Sequence, residues 1–396
     1  VLIVEAPVPR PGARSVAIVF LAAGTAAWNV GNVGAVVTDL SRDLDVSLAS
    51  VGVLSGTLLL GFSALGTLVA PEVITRLGIL RAMILAVALG IAGNLIFAVS
   101  DSYAVFAVGR AVTGIGLGIT VVAGPVYARG RGGVGLVALF GAAIQLGIAG
   151  GLGVGAVLSD AGVDWRLIFL LSAAIAVVLF PLLIGAEPVE YQTKSGGGFV
   201  RMAIRSSRVW RIAGLFIAIF SVPLILGSWL VHYLSVDNSL AIGSAGALSF
   251  LMFGISGVAR ELGGKLAERG VSVSILLGIT PWLAAAGLLI LALDDSFTLA
   301  LVAVVLAGIG FAIPYGPAID QAQSLYPADP VEPVAFVSLV GTAVPVPLVP
   351  IIGSLLDDGY GTEVFIAFAA IVGAAALMNM TPVQAPLGKA VQGDSP

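Results

Sequence analysis

Arg110 stands well inside an apolar run, YAVFAVGRAVTGIGLGITVVAGPVY, from Tyr103 to Tyr127. At about 1.5 Å per residue such a run is long enough to cross a bilayer. A lone arginine at that depth costs roughly 2.5–3.5 kcal/mol on insertion scales. It either faces a wet cavity or ties two helices together, and residue type leaves both readings open. Thr25, Asn29 and Asn32 pose the same choice at i, i+4 and i+7, beside Trp28. Side-chain amides in hydrocarbon need a partner or water. Two asparagines on one stripe favour a cavity lining, with a helix-to-helix tie as the alternative. Thr113 and Thr120 extend the stripe of Arg110. A further apolar run carries Ser221, Ser228 and His232, with Trp229 and Tyr233 adjacent and Pro223 as a kink. Histidine alone titrates near neutrality without perturbation. His232 is either a proton site or a residue of the outer aromatic belt. Gln145 precedes a glycine-rich stretch, Tyr315 lies in Pro-Tyr-Gly-Pro, and Arg260-Glu261 form a charged pair before Gly263-Gly264. Asp320, near a span end, reads as a gate, with a proton site or a wet surface acid as alternatives.

The elements that position these groups follow from composition. Only 10% of the 396 residues are charged and 59% are hydrophobic, against about 25% charged in a soluble domain. Mean hydropathy is +1.10. The chain is therefore expected to be an all-α membrane protein. With no cysteine and one histidine, thiolate and histidine-rich metal centres are excluded, and no cofactor is expected. The net charge of -4 does not imply a nucleic-acid partner. No loop of the form G-x-x-x-x-G-K-[ST] is present, which disfavours ATP-driven pumping. A membrane enzyme is likewise disfavoured, because no cluster of His, Cys, Asp and Glu lies within the apolar runs. The opening VLIVEAPVPRPGAR does not read as a cleavable signal peptide.

Apolar runs between short polar turns predict twelve spans: 15–40, 47–75, 79–100, 102–128, 133–158, 165–186, 210–235, 239–266, 271–293, 296–324, 331–356 and 361–383. Lys and Arg collect at one set of turns, including Arg76, Arg81, Arg129, Arg131, Lys265 and Arg269. Acids such as Asp39, Asp43, Asp101, Asp164, Asp294 and Asp358 collect at the other. The positive-inside rule then places both termini in the cytoplasm. The expected organisation is a cytoplasmic segment 1–14, a six-helix bundle 15–186, a cytoplasmic linker 187–209, a second bundle 210–383 and a cytoplasmic tail 384–396. Arg201, Arg205, Arg208 and Arg211 recur at helical spacing in and just beyond the linker, as in a basic helix lying on anionic lipid; a solvated linker is the alternative. Pro314 and Pro317, and later Pro345, Pro347 and Pro350, predict bent helices.

The halves resemble each other. VALFGAA at 137–143 and VSLVGTA at 337–343 share V-x-L-x-G-x-A, and Gly66-Thr67-Leu68 is echoed by Gly264-Lys265-Leu266. Gly114-Ile115-Gly116 with Gly124-Pro125 returns as Gly308-Ile309-Gly310 with Gly316-Pro317. Six helices repeated in the same sense make two six-helix bundles related by a parallel pseudo-two-fold axis along the membrane normal.

At this point the chain resembles the major facilitator superfamily over about residues 15–383. GTLVAPEVITRLGILR (66–81) is similar to that superfamily's loop between helices two and three, with Gly66, Leu68, Arg76, Gly78 and Arg81 in place and Thr75 where an aspartate is usual. GGKLAERG (263–270) is a second copy, with Glu268 in the acidic place and Arg269 beside it. RAVTGIG (110–116) resembles the fourth-helix motif, whose arginine is associated with proton or substrate coupling, and DWRLIF (164–169) the entry to helix six. R-x-x-G-G at Arg260 resembles nitrate and organic-anion porters, but their second arginine would fall on Phe62. An inner-gate ion pair of Arg260 with Glu261 is the reading preferred here.

The resemblance implies two bundles around a central cavity and alternating access. The expectation is a secondary transporter, a monomer in a prokaryote-like cytoplasmic membrane, in contact with lipid and coupled to protons or another ion. A small anion or small polar compound is the first expectation for its solute, and multidrug efflux the alternative. Expected to contact the solute are Thr25, Trp28, Asn29, Asn32, Arg110, Thr113, Gln145, Ser228, Trp229, His232 and Tyr315. Arg76, Arg81, Arg110, Arg260, Glu261, Glu268, Arg269 and Asp320 are expected to couple or gate.

Overall fold

The computed structural model describes residues 11–189, 206–325 and 331–380. Twelve helices are long and apolar enough to cross a membrane. They are α1 Ala13–Ala35, α2 Leu48–Leu77, α3 Ile79–Ala98, α4 Tyr103–Gly133, α5 Gly135–Asp160 and α6 Arg166–Ile184 in the first half. The second half holds α7 Ser207–Val236, α8 Ile242–Ala267, α9 Val273–Leu293, α10 Phe297–Ser324, α11 Phe336–Asp357 and α12 Gly361–Met378. The protein is a multi-pass, all-helical membrane protein of two six-helix bundles.

The first predicted span is too long. Val36 leaves helical geometry, and Val37–Leu44 forms a separate short helix whose charged residues, Asp39, Arg42 and Asp43, pair with one another. In the proline-rich runs the missing amide donors break the helical hydrogen-bond ladder. The regular helix divides at Ile313-Pro314 in α10 and at Val344, before Pro345, in α11, while these linking residues keep right-handed helical dihedrals. Most of the expected linker, including Arg201 and Arg205, lies outside the described residues, as do most of segment 1–14 and the tail 384–396.

Small residues set the packing. A Cβ at Gly114 of α4 would strike the Leu59 carbonyl of α2, and one at Gly308 of α10 would strike the Met252 carbonyl of α8. The same approach thus recurs in both halves, as the sequence repeat requires. Between the halves, α2 meets α11, α5 meets α8, and α1 meets α7. A two-fold axis that exchanges α2 with α8 and α5 with α11 maps the first two of these contacts onto each other.

Helix ends sort by charge. Arg14, Arg76, Arg81, Arg129, Arg131, Lys265 and Arg269 lie at one end of the molecule, the basic end. Asp39, Asp43, Asp45, Asp101, Asp164, Asp237, Asp294, Asp295 and Asp358 lie at the other, with Arg42 and Arg166 held among them by ion pairs.

Candidate functional site

Arg110 is 1% exposed. Its Nε donates to the Leu54 carbonyl of α2 at 3.3 Å, Nη1 to Asn32 Oδ1 at 3.2 Å and Nη2 to the Asn29 carbonyl at 2.7 Å. Asn29 Oδ1 in turn accepts from Asn32 Nδ2 and from Ser172 of α6, both at 3.3 Å. The guanidinium also lies 6.0 Å from the ring centroid of Phe97 on α3. One side chain therefore joins α1, α2 and α4 through neutral oxygens. Thr25 and Asn29 line, with Asn94, Thr113 and Thr120, an interior pocket of about 20 Å³ inside the first half, room for about one water. The expectation that Arg110, Asn29, Asn32, Thr25 and Thr113 face a wet vestibule is corrected here: Arg110, Asn29 and Asn32 bond one another, and Thr25 and Thr113 line small cavities inside their own bundle. Trp28 departs too. It lines a nearly all-apolar cavity of about 180 Å³ between α1, α5 and α6.

Ser228, Trp229 and His232 sit in a closed seam near the acidic end rather than around open space. Gly34 of α1 and Gly227 of α7 meet so closely that a Cβ at Gly34 would also lie 3.1 Å from the Cα of Ser228. Trp229 Nε1 donates to the Val349 carbonyl at 3.0 Å. His232 Nδ1 and Thr38 Oγ1 share a hydrogen bond of 3.1 Å across the halves. The Ala49 amide donates to Asp357 Oδ2 at 3.4 Å, and Thr57 donates to the Val346 carbonyl at 3.0 Å. On the acidic rim, burial pushes the Asp237 carboxyl up, while the Ser296 hydroxyl and amide hold that of Asp294 below the usual range.

At mid-membrane the seam changes character. Gln145 Nε2 of α5 donates to Ser256 Oγ of α8 at 2.9 Å. Thr38–His232, Ala49–Asp357 and Thr57–Val346 join the halves on the acidic side of this bond. Arg260 lies four residues from Ser256, hence on the same face of α8. Its guanidinium stacks 4.0 Å over the ring of Tyr315, and its buried Nε has no hydrogen-bond partner. Phe216 and Phe220 of α7 complete the group, with ring centroids 5.5 and 6.3 Å from that of Tyr315. Arg260, Tyr315 and Phe220 are half-buried. This cluster offers unused guanidinium donors, an amide, a hydroxyl and aromatic faces, the usual makeup of a small-molecule site.

The expected pairing of Arg260 with Glu261 is not formed. Neighbouring helical residues point about 100° apart, and Glu261 instead pairs with Lys265 at 2.7 Å on the surface. Arg76 pairs with Glu72 within α2 at 2.5 Å; Arg81, Arg269 and Asp320 are exposed at the basic end. The Glu268 side chain lies outside the described residues. Ser256, Phe216 and Phe220 were not anticipated from sequence. The face rule used for α1 reaches Ser256 once Arg260 is the reference, whereas two phenylalanines in an apolar run carry no signal of their own.

A family model described as Major Facilitator Superfamily matches residues 19–339. D-xylose-proton symporter-like 2 of Arabidopsis thaliana is 31% identical over 144 residues, 34% of this chain and 27% of that protein. Polyol transporter 5 of the same plant is 29% identical over 100 residues, 25% of this chain and 18% of that protein. The matches thus span only about a fifth to a quarter of the length of these curated relatives. Among solved structures, a crystal structure of D-xylose-proton symporter superposes with a TM-score of 0.77 at 15% identity, covering 94% of this chain and 98% of that one. The inward open conformation of the xylose transporter XylE from E. coli gives 0.72 at 14% identity, covering 94% and 97%. At such identities the likeness speaks for the fold alone.

Proposed function

The chain belongs to the Major Facilitator Superfamily, and on that premise we propose that it is a secondary transporter moving a small polyhydroxylated solute, a sugar or polyol, by alternating access. The observation that carries the site is Arg260, stacked on Tyr315 without an ion pair, one turn from the Gln145–Ser256 bond that spans the halves. A guanidinium presents its donors in a fixed fork, which suits neighbouring hydroxyls, and Phe216, Phe220 and Tyr315 supply apolar faces. Gln145, Ser256, Arg260 and Tyr315 are the proposed contacts. Two bundles with two packings of similar energy let a ligand shift the balance between them. The relatives' names, carrying xylose and polyols, support this class; the small-anion and efflux expectations draw no support from them.

We place the protein as a multi-pass monomer in a cytoplasmic membrane with the basic end and both termini inside, as the charge asymmetry favours. The conformation described is then inward-facing, closed at the acidic end. Counterflow in proteoliposomes tests the reading with D-xylose, a pentitol and nitrate. Exchange of D-xylose or the pentitol that is lost in Arg260→Ala is expected. Exchange of nitrate alone would return the small-anion reading, and no counterflow at all would sink the transporter reading for these solutes.

A further inference from the structure

We propose that this carrier moves its solute without a proton, by equilibration or exchange; the inference rests on the transporter reading above. Coupling to a proton needs a side chain that titrates as access alternates. The chain has 22 Asp and Glu and one His. Glu72, Asp160, Glu261, Asp320, Asp357 and Glu363 are the acids within the twelve helices; each lies within about two turns of a helix end and is exposed. The remaining sixteen lie, by sequence position, before, between or after the helices. Among the described residues, no acid lies in the middle of a membrane-crossing helix.

The place where a carboxylate would do most is the Arg110 node. There the guanidinium is held by an amide oxygen and two backbone carbonyls. None of these takes up a proton near neutral pH, so a change in protonation cannot make or break the joint. An acid at Asn32 would behave otherwise: its ion pair with Arg110 would be lost on protonation, releasing α1 from α4. The sequence places asparagine where the switch would have to be.

His232 is the remaining candidate. It is 7% exposed and bonded to Thr38 of the opposite half. Trp229 lies beside it on α7, and Asp357 at the end of α11 is the charged group facing it. All of these belong to the closed acidic end. A symported proton has to be released at the basic end, opposite to where His232 is sealed.

The test uses the full chain in proteoliposomes with radiolabelled D-xylose and an internal pH dye. At an imposed gradient of one pH unit, a one-to-one symporter would accumulate solute about tenfold, equivalent to about 1.4 kcal/mol. Wild type is expected to exchange D-xylose by counterflow, to equilibrate without accumulation, and to move no protons when solute is added. Asn32→Asp is expected to acquire pH-dependent exchange; if that variant fails to fold, the wild-type gradient result alone decides. Accumulation driven by the pH gradient would overturn this inference while leaving the transporter reading intact, and its loss in His232→Gln would assign the proton to that residue. Absence of counterflow would overturn both.

Discussion

Arg110 and Arg260 are both arginines set in apolar helices, one in each half, and they are held in opposite ways. Arg110 is sealed, with a neutral oxygen on each of its three nitrogens. Arg260 is half-buried and stacked on one ring, with no hydrogen bond at Nε. A charge placed in hydrocarbon has to be satisfied somewhere. In the first case two neighbouring helices of the same bundle, α1 and α2, satisfy it, and the residue ties them to α4. In the second Nε meets no acceptor, which is what suits the residue to the proposed ligand contact. Equal residue type in an apolar helix therefore does not mean equal surroundings; the neighbours decide.

The sharpest way to break this contrast is Arg110→Ala. It leaves the buried Asn32 Oδ1 without its donor, worth about 1–3 kcal/mol when unsatisfied, and removes the bonds to two carbonyls that tie α1 and α2 to α4, so yield and thermal midpoint should both fall. A variant that kept its midpoint and lost only transport would make Arg110 a ligand-facing group after all. Arg260→Ala should do the reverse. Removing a hydrogen-bond donor that is charged costs about 1.5–3 kcal/mol of binding, which predicts roughly tenfold or more weaker D-xylose binding with a nearly unchanged midpoint. Arg260→Lys should recover only part of the affinity, because an ammonium lacks the planar fork; full recovery would reduce the role to charge alone.

A smaller effect is expected at Gln145→Ala, which removes one bond between the halves. About 1 kcal/mol would shift the balance of conformations by roughly fivefold, readable by energy transfer between labelled bundle ends. Accessibility sharpens the same comparison without a solute. The chain has no cysteine, so Phe220→Cys and Ser228→Cys each introduce a single thiol. An impermeant thiol reagent applied at the basic end should label the first and spare the second; equal labelling would dissolve the distinction between an open and a sealed part of the seam.

Much of the fold was legible before any coordinates. The twelve apolar runs, the separation of bases from acids and the glycine echoes at 114 and 308 are local patterns, and the bilayer imposes the rest. The candidate site was legible only in part. Helical spacing puts Thr25, Asn29 and Asn32 on one stripe of α1, but a stripe does not say whether it looks at solvent or at a neighbouring helix. Asn29 and Asn32 look at Arg110 and Ser172. Adjacency in sequence suggests a pair for Arg260 and Glu261, and helical geometry sends them to different surroundings, Glu261 to Lys265.

By itself, then, the sequence determined that twelve helices cross a membrane, that they come as two related sets, and that two arginines are carried into hydrocarbon. Hydrophobicity and period fix those facts residue by residue. Tertiary structure alone decided which arginine has its donors filled. That depends on carbonyls and amides brought from 56 to 81 residues away, and no local pattern specifies which neighbour will stand there.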